Sequence, residues 1–186
     1  GDHGEGAAEG MKTALRILLA LLLALLLALA CYAGYVFLTY YRLADNLPLE
    51  VEGTAAHSGQ AAVGESYRLV SYNIGFGAYS DDYSFFMDGG RESRARSKEA
   101  VCENVGGAMT VAADAAPDFL FLQEVDVDGT RSHHVDEYAY ACSLLPELGQ
   151  RVFAQNYDSP YLFWPLLEPH GANRSGLATL SRWEIS

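Results

Sequence analysis

The chemistry of this chain starts where an apolar run meets a carboxylate. The stretch Asp118-Phe119-Leu120-Phe121-Leu122-Gln123-Glu124-Val125-Asp126 holds four unbroken apolar residues and then reaches Glu124. The run is short, aromatic and preceded by Pro117, which predicts a buried strand rather than a helix. A charge at the end of such a strand lies at the edge of a sheet, where ligands bind. A carboxylate there can hold a hard cation such as Mg2+, which takes oxygen ligands. The alternative is that Glu124 is only the first solvated residue after a core strand. Asn73 ends a second β-rich stretch, and Gly75 and Gly77 turn the chain sharply behind it. Its amide can orient a phosphate oxygen or a metal-bound carboxylate, or it can simply cap the turn. Arg131-Ser132 can meet a substrate phosphate, or can be a surface arginine and a helix cap. His133 and His134 are adjacent, face different ways on a helix, and form no ligand pair. Asp81, Asp82 and Asp88 share one stretch but miss the spacing of the twelve-residue calcium loop.

The elements that must position these residues follow from periodicity. Residues 67–73 alternate loosely and predict a first strand. Residues 79–90 read as a solvated loop with an apolar tuck. Residues 91–116 read as mainly helical, with Val101, Val105, Met109 and Ala113 as a buried stripe. Pro117 ends that helix and the Glu124 strand follows. Strand, helix, strand is the order of a crossover unit. Residues 125–131 read as a polar loop, and Val135, Tyr138, Cys142 and Leu145 give the next helix its apolar face. Residues 151–157 and 176–181 predict two more strands. The aromatic stretch 158–165 between them lines a cleft or covers a small core. Trp183-Glu184-Ile185 looks like the start of a further element.

The whole chain of 186 residues has a net charge of -12, and from Arg68 onward there are 17 acidic against 9 basic residues. That disfavours a protein that grips nucleic acid through a broad basic surface. It leaves room for a phosphate-containing substrate, because a bound metal reverses the local sign. The three cysteines, Cys31, Cys102 and Cys142, form no close-set zinc pair. Cys102 and Cys142 are read either as a disulfide outside the cell or as two isolated core thiols. Residues 1–10 read as upstream or appended, with Met11 as a natural start. Ile17–Tyr41 is 25 residues without a charge, whereas a span needs about 20. Residues 11–42 therefore predict an N-terminal membrane anchor. Lys12 and Arg16 precede the run and acids follow Arg42, which keeps the N-terminus in the cytoplasm and sends the rest across. Tyr35, Tyr40 and Tyr41 fit an interfacial belt. Ala28-Leu29-Ala30-Cys31 resembles a bacterial lipoprotein processing site, but the apolar stretch continues beyond Cys31, which suits an uncleaved anchor better. Residues 43–66 read as a flexible linker.

Three motifs in order carry a resemblance: Ser71-Tyr72-Asn73-Ile74-Gly75, Phe121-Leu122-Gln123-Glu124-Val125-Asp126, and Ser175-Gly176-Leu177-Ala178-Thr179-Leu180-Ser181-Arg182. Together they resemble the N-terminal half of the endonuclease/exonuclease/phosphatase superfamily, which includes deoxyribonucleases, sphingomyelinases and inositol-polyphosphate phosphatases. The resemblance implies that residues 67–186 form part of a two-sheet α/β sandwich. It implies divalent-metal-dependent hydrolysis of a phosphate ester or phosphodiester, with Mg2+, or Mn2+ or Ca2+ in its place. By the same resemblance Glu124 is the metal-binding glutamate and Asn73 an active-site asparagine. Arg131 and Ser132 match an Arg-Ser pair found in membrane-attached bacterial members. Asn156, Tyr157 and Asp158 are pocket residues, and Ser181 and Arg182 are structural or near substrate. The family's catalytic histidine, Asp-x-Asn motif and terminal Asp-His pair have no match here, so the domain is expected to be truncated and weakly active or inactive alone. The expected setting is a single-pass membrane protein with an extracytoplasmic domain, touching lipid through residues 17–41. Nucleic acid is not favoured as a substrate, and no protein partner is inferable. The competing class is a membrane-anchored binding or scaffold protein that keeps the fold without chemistry.

Overall fold

Pro117 stops a helix, and the apolar alternation after it starts the strand on which the folded unit is built. A computed structural model describes residues 2–186, in two compact units, one ending at Tyr40 and the other running from Tyr41 to Ser186. The first unit is helix α1, Asp2–Thr39. Within it, Glu9–Thr39 is long and apolar enough to cross a membrane. A membrane span, a signal sequence and a core helix share that length and composition. Its leucines from Leu15 to Leu29 are exposed. The helix begins at Asp2, so residues 2–10, read as upstream or appended, continue it.

The second unit is a mixed α/β fold with one five-stranded sheet in the order β1-β4-β5-β3-β2. The strands are β1 (Val51–Gly53), β2 (Leu69–Asn73), β3 (Phe119–Gly129), β4 (Gln150–Asp158) and β5 (Asn173–Ser181), with helices α2 (Lys98–Asp114) and α3 (Glu137–Leu144) between. β2 and β3 are parallel and joined by α2, so the expected crossover unit is present. β3, β4 and β1 each run antiparallel to their other neighbours. Ser97 caps α2 by accepting from Ala100 N at 3.1 Å. Val101, Val105, Met109 and Ala112 of α2 bury against Leu120, Leu122, Ala178 and Leu180 of the sheet. The stripe ends on Ala112 rather than Ala113, one residue off the sequence expectation.

Five expectations change. The helix starts at Lys98 and not Arg91, because Ser97 supplies the cap and the residues before it are tied to other loops (Ala95 N donates to Arg131 O at 2.8 Å). The polar stretch 125–129 is strand, not loop, since β3 keeps its ladder with β5 through Gly129. Asp136, not Ser132, caps the following helix, accepting from Ala139 N at 2.9 Å. The stretch read as a flexible linker also holds structure. Val51–Gly53 pairs with β4, His57 N donates to Arg182 O at 2.9 Å, and the His57 ring stacks on Trp183 with centroids 4.6 Å apart. Trp183 to Ile185 starts no new element. All three cysteines are free.

The two faces of the sheet differ. α2 and α3 cover one. On the other, register places Leu69, Phe119, Phe121, Leu177, Val152 and Ala154 together. Leu69 is 62% and Leu177 42% exposed, and the other four are half-buried.

Candidate active site

Strict alternation along β3 would put residue 124 in the core after Leu120 and Leu122. A carboxylate cannot go there without a partner. The strand resolves this with a bulge. Leu122 pairs with Ala178 but Val125 pairs with Gly176, so one extra residue sits on β3. Glu124 takes the strain at φ 54°, a left-handed conformation that L-residues with long side chains avoid. The inward phase moves to Val125, which is fully buried, and Glu124 is left exposed. β4 bulges at the same level: Gln155 pairs with Gly176 and Tyr157 with Ser175, leaving Asn156 as the extra residue. Both bulges lie beside Gly176. A Cβ there would come within 2.3 Å of Ala154 O.

Asn73 ends β2 beside this point. Its Oδ1 accepts from Gly75 N at 2.9 Å and its Nδ2 donates to Glu124 Oε1 at 3.0 Å. The turn cap and the orientation of a carboxylate, posed as alternatives by the sequence, are both made by one amide. Gly75, Phe76 and Gly77 follow with φ of 56°, 43° and 62°. Added side-chain carbons would strike the Tyr79 ring at Gly75 and Val101 at Gly77, so glycine is required at both. This reversal buries Phe76 beneath Arg131, whose guanidinium carbon lies 4.1 Å from the ring centroid.

Arg131 is held as a clamp. Its Nε donates to Asp126 Oδ2 at 3.0 Å and its Nη2 to Asp126 Oδ1 at 2.7 Å. Burial pulls the guanidinium pKa down, but the hydrogen bonds and charge of Asp126 outweigh it and hold the value above its ordinary level. The Tyr157 ring lies 5.6 Å from the same guanidinium. Ser132 is fully buried, its Oγ donating to Gly129 O at 3.3 Å. Glu137, also fully buried, accepts from Asp126 N at 2.8 Å through Oε2, while Oε1 has no partner. Burial, and then the negative charge of Asp126, raise its pKa well above the ordinary carboxylate range.

Glu124 lines two open clefts. One, of about 390 Å³, is shared with Asn73, Tyr79 and Asn104. The other, of about 400 Å³, is shared with Phe85, Asp88, Arg131, Asn156 and Tyr157. Asn73, Glu124, Arg131, Asn156 and Tyr157 therefore gather around one carboxylate. Asp158 is not among the lining residues and takes a 3.3 Å hydrogen bond from Gln155 Nε2. Ser181 and Arg182 act as ties: Ser181 Oγ donates to Trp183 O at 2.8 Å and Arg182 Nε to Pro117 O at 3.0 Å. Tyr79, Phe85, Met87 and Asp88 belong to the stretch read as a solvated loop but form cleft wall. Burial first, then the charges of Asp88 and Glu124, raise the Tyr79 pKa. The only sequence signal for this was the density of aromatics beside three acids.

The cleft is acidic, since Glu124 and Asp88 face it and the charge of Arg131 is met by Asp126. Among the described residues no three His, Cys, Asp or Glu side chains gather as a metal cage. Magnesium commonly uses only one or two carboxylates and keeps its waters. The oriented Glu124 carboxylate fits as one such ligand. Among the described histidines none lines the cleft. His57 stacks on Trp183, His133 bonds Ala95 O at 2.7 Å, His134 bonds Asp128 Oδ1 at 2.6 Å, and His170 is buried against Ser93 O at 3.1 Å. Comparison with family models, with curated proteins and with solved structures found no match.

Proposed function

We propose that this chain is the N-terminal half of a divalent-metal-dependent phosphoesterase of the endonuclease/exonuclease/phosphatase type, held at the outer face of a membrane by α1. The observation that carries the reading is the Asn73–Glu124 hydrogen bond at a bulge whose backbone strain keeps Glu124 out of the core. Strain of this kind costs on the order of 1–3 kcal/mol and collects at functional sites. The uncovered sheet face, with Leu69, Phe121 and Leu177 on it, fits half of a sandwich whose second sheet would pack there. The acidic cleft supports a cation as well, because a phosphate ester would otherwise meet two carboxylates.

In this reading Glu124 holds the metal, and Asn73 fixes which carboxylate oxygen is offered to it. A bound divalent ion supplies Lewis-acid polarisation of a phosphoryl oxygen and offsets developing charge. Arg131 fixes the floor of the cleft, with its charge balanced by Asp126 and its face on Phe76. Tyr157 and Asn156 border the substrate. No described histidine reaches the cleft, so the reading places the general base outside this chain and expects slow turnover by the chain alone.

The test is Mn2+ binding by the full chain in detergent, followed by electron paramagnetic resonance, beside bis-p-nitrophenyl phosphate hydrolysis with and without EDTA. Glu124→Gln should weaken binding about tenfold or more, and Asn73→Ala about tenfold, in the range for a residue that orients a ligand. Equal Mn2+ binding in all three proteins would sink the reading. A second reading is a non-catalytic binding or scaffold protein at the membrane, favoured by the absence of a histidine among the cleft residues. Metal binding lost in Glu124→Gln, with no EDTA-sensitive turnover even when the missing half is supplied, would select it.

A further inference from the structure

The connection from β4 to β5 carries Leu162-Phe163-Trp164-Pro165-Leu166-Leu167, six residues without a charge in a chain of net charge -12. Its outer residues are exposed: Trp164 64%, Leu166 75% and Leu167 101%. Scattered apolar residues are normal on a surface, but large ones concentrated on one projecting loop mark an interaction site. The stem of this loop is fixed. Leu162 and Gly171 bond each other in both directions at 3.1 and 3.0 Å, and His170 N donates to Trp164 O at 3.0 Å. Arg94 Nε donates to Pro169 O at 2.6 Å, and Ser93 Oγ makes a short bond to Glu168 O. The Glu168 carboxylate is turned back toward Ser93 N at 3.4 Å. The one acid next to the tip is therefore tied to the body, and the tip itself presents only apolar groups.

We propose that residues 163–167 dock into the interfacial layer of the bilayer that α1 occupies, an inference that rests on reading α1 as a membrane span. Three observations select lipid as the occupant. The tip holds a tryptophan beside leucines, the composition that favours the headgroup–acyl boundary. It lacks any charge for a polar partner to pair with. Only residues 40–50 separate the end of α1 from β1, a reach of at most about 40 Å fully extended, so the tip stays at high effective concentration near the lipid surface. The stem also packs on the cleft wall. Phe85, which lines the cleft with Glu124, lies 5.9 Å from the His170 ring. Docking the tip would present this wall to the lipid surface.

The experiment uses the full chain reconstituted in phosphatidylcholine vesicles, with and without brominated phosphatidylcholine. Trp164 and Trp183 are the two tryptophans. A Trp164→Phe chain gives the Trp183 signal, which is subtracted. Bromolipid should quench the Trp164 emission about twofold or more while aqueous iodide leaves it unchanged, as for a ring at interfacial depth. A Leu166→Ser, Leu167→Ser chain with unchanged far-ultraviolet circular dichroism should lose that quenching. Alkaline carbonate extraction separates the two ideas. If the chain resists extraction and Trp164 answers to iodide and not to bromolipid, docking is overturned and the span stands. Shielding from both quenchers overturns it in favour of a protein contact. If carbonate releases the chain, the span fails and takes this inference with it.

Discussion

Glu124 and Glu137 are two carboxylates from neighbouring elements with opposite environments, and each makes a prediction of its own. Glu124 is exposed and strained, at φ 54°. Glu124→Ala and Glu124→Gly both lose the bond from Asn73, so the difference between them isolates the backbone. A left-handed L-residue costs roughly 1–2 kcal/mol that glycine does not. The Gly variant should therefore be more stable than the Ala variant by about 1 kcal/mol in urea unfolding of the full chain, and both should bind Mn2+ at least about tenfold more weakly than the natural chain, as expected for Glu124→Gln. Equal midpoints would mean the bulge stores no strain. Glu137 is unstrained but buried beside Asp126 with one oxygen unpartnered. Its folded pKa is raised, so its contribution to stability is fully present below the unfolded carboxylate pKa, about 4.3. That contribution is lost as pH rises through the folded value. Glu137→Gln removes the titration. The natural chain should lose stability relative to this variant as pH climbs from the ordinary carboxylate range to neutrality. A pH-independent difference between the two would show that Glu137 folds with an ordinary pKa.

At the scale of elements, the sheet edge near Glu124 is shaped by where strands gain a residue. β3 gains Glu124 opposite the Ala178–Gly176 stretch of β5, and β4 gains Asn156 opposite the Gly176–Ser175 step, so Gly176 borders both. Gly176 is the fixed point, because its carbon would otherwise overlap Ala154 O. Gly176→Ala must displace β4 and with it Asn156 and Tyr157. Overpacking of this kind costs about 1–3 kcal/mol, so the thermal midpoint should fall by several degrees. Mn2+ affinity should fall less than in Glu124→Gln, since Asn73 and Glu124 sit on the other side of β5. A Gly176→Ala chain with unchanged midpoint would show that the strands shift freely. The elements themselves are legible in the sequence. Pro117, the period of α2 and the apolar run after it specify β2-α2-β3, and the structure has that unit. Asn73 and Glu124 are legible as strand ends. The bulges are not, because they are a matter of register between strands distant in sequence, and this is also why residues 125–129 read as a loop. The Asp126–Arg131 clamp was hidden for the same reason. Each residue alone reads as solvated, and only the turn at Gly129 lets them neutralise each other in the interior. β1 was hidden by its length. Three residues amid glycines and acids carry no periodicity, and their pairing comes from β4.

Across the whole molecule the sequence speaks most clearly through charge. Within α1 a long uncharged stretch follows Lys12 and Arg16, and a strongly acidic unit follows the helix. Orientation in a membrane responds to lysine and arginine close to the span and little to acids. With the uncharged part of α1 as a span, two basic residues before that part against Arg42 after it favour the proposed orientation, with the unit from Tyr41 onward outside the cytoplasm. Arg42 is itself paired at 3.3 Å with Asp45, an exposed contact that leaves its bias in place. The bias is small, so it should be reversible. In bacterial spheroplasts, protease added outside should digest the folded unit of the natural chain, assayed by loss of a C-terminal epitope. Lys12→Glu with Arg16→Glu removes both positive charges ahead of the uncharged stretch and leaves Arg42 as the near basic residue. The epitope should then become protected in about half of the molecules or more, as expected when the flanking bias reverses toward Arg42. Protection in the natural chain would place the unit in the cytoplasm and remove the outer-face setting of the proposed activity. Complete digestion in both chains would mean that something other than the flanking charge sets the orientation, and the folded unit itself would be the next element to alter.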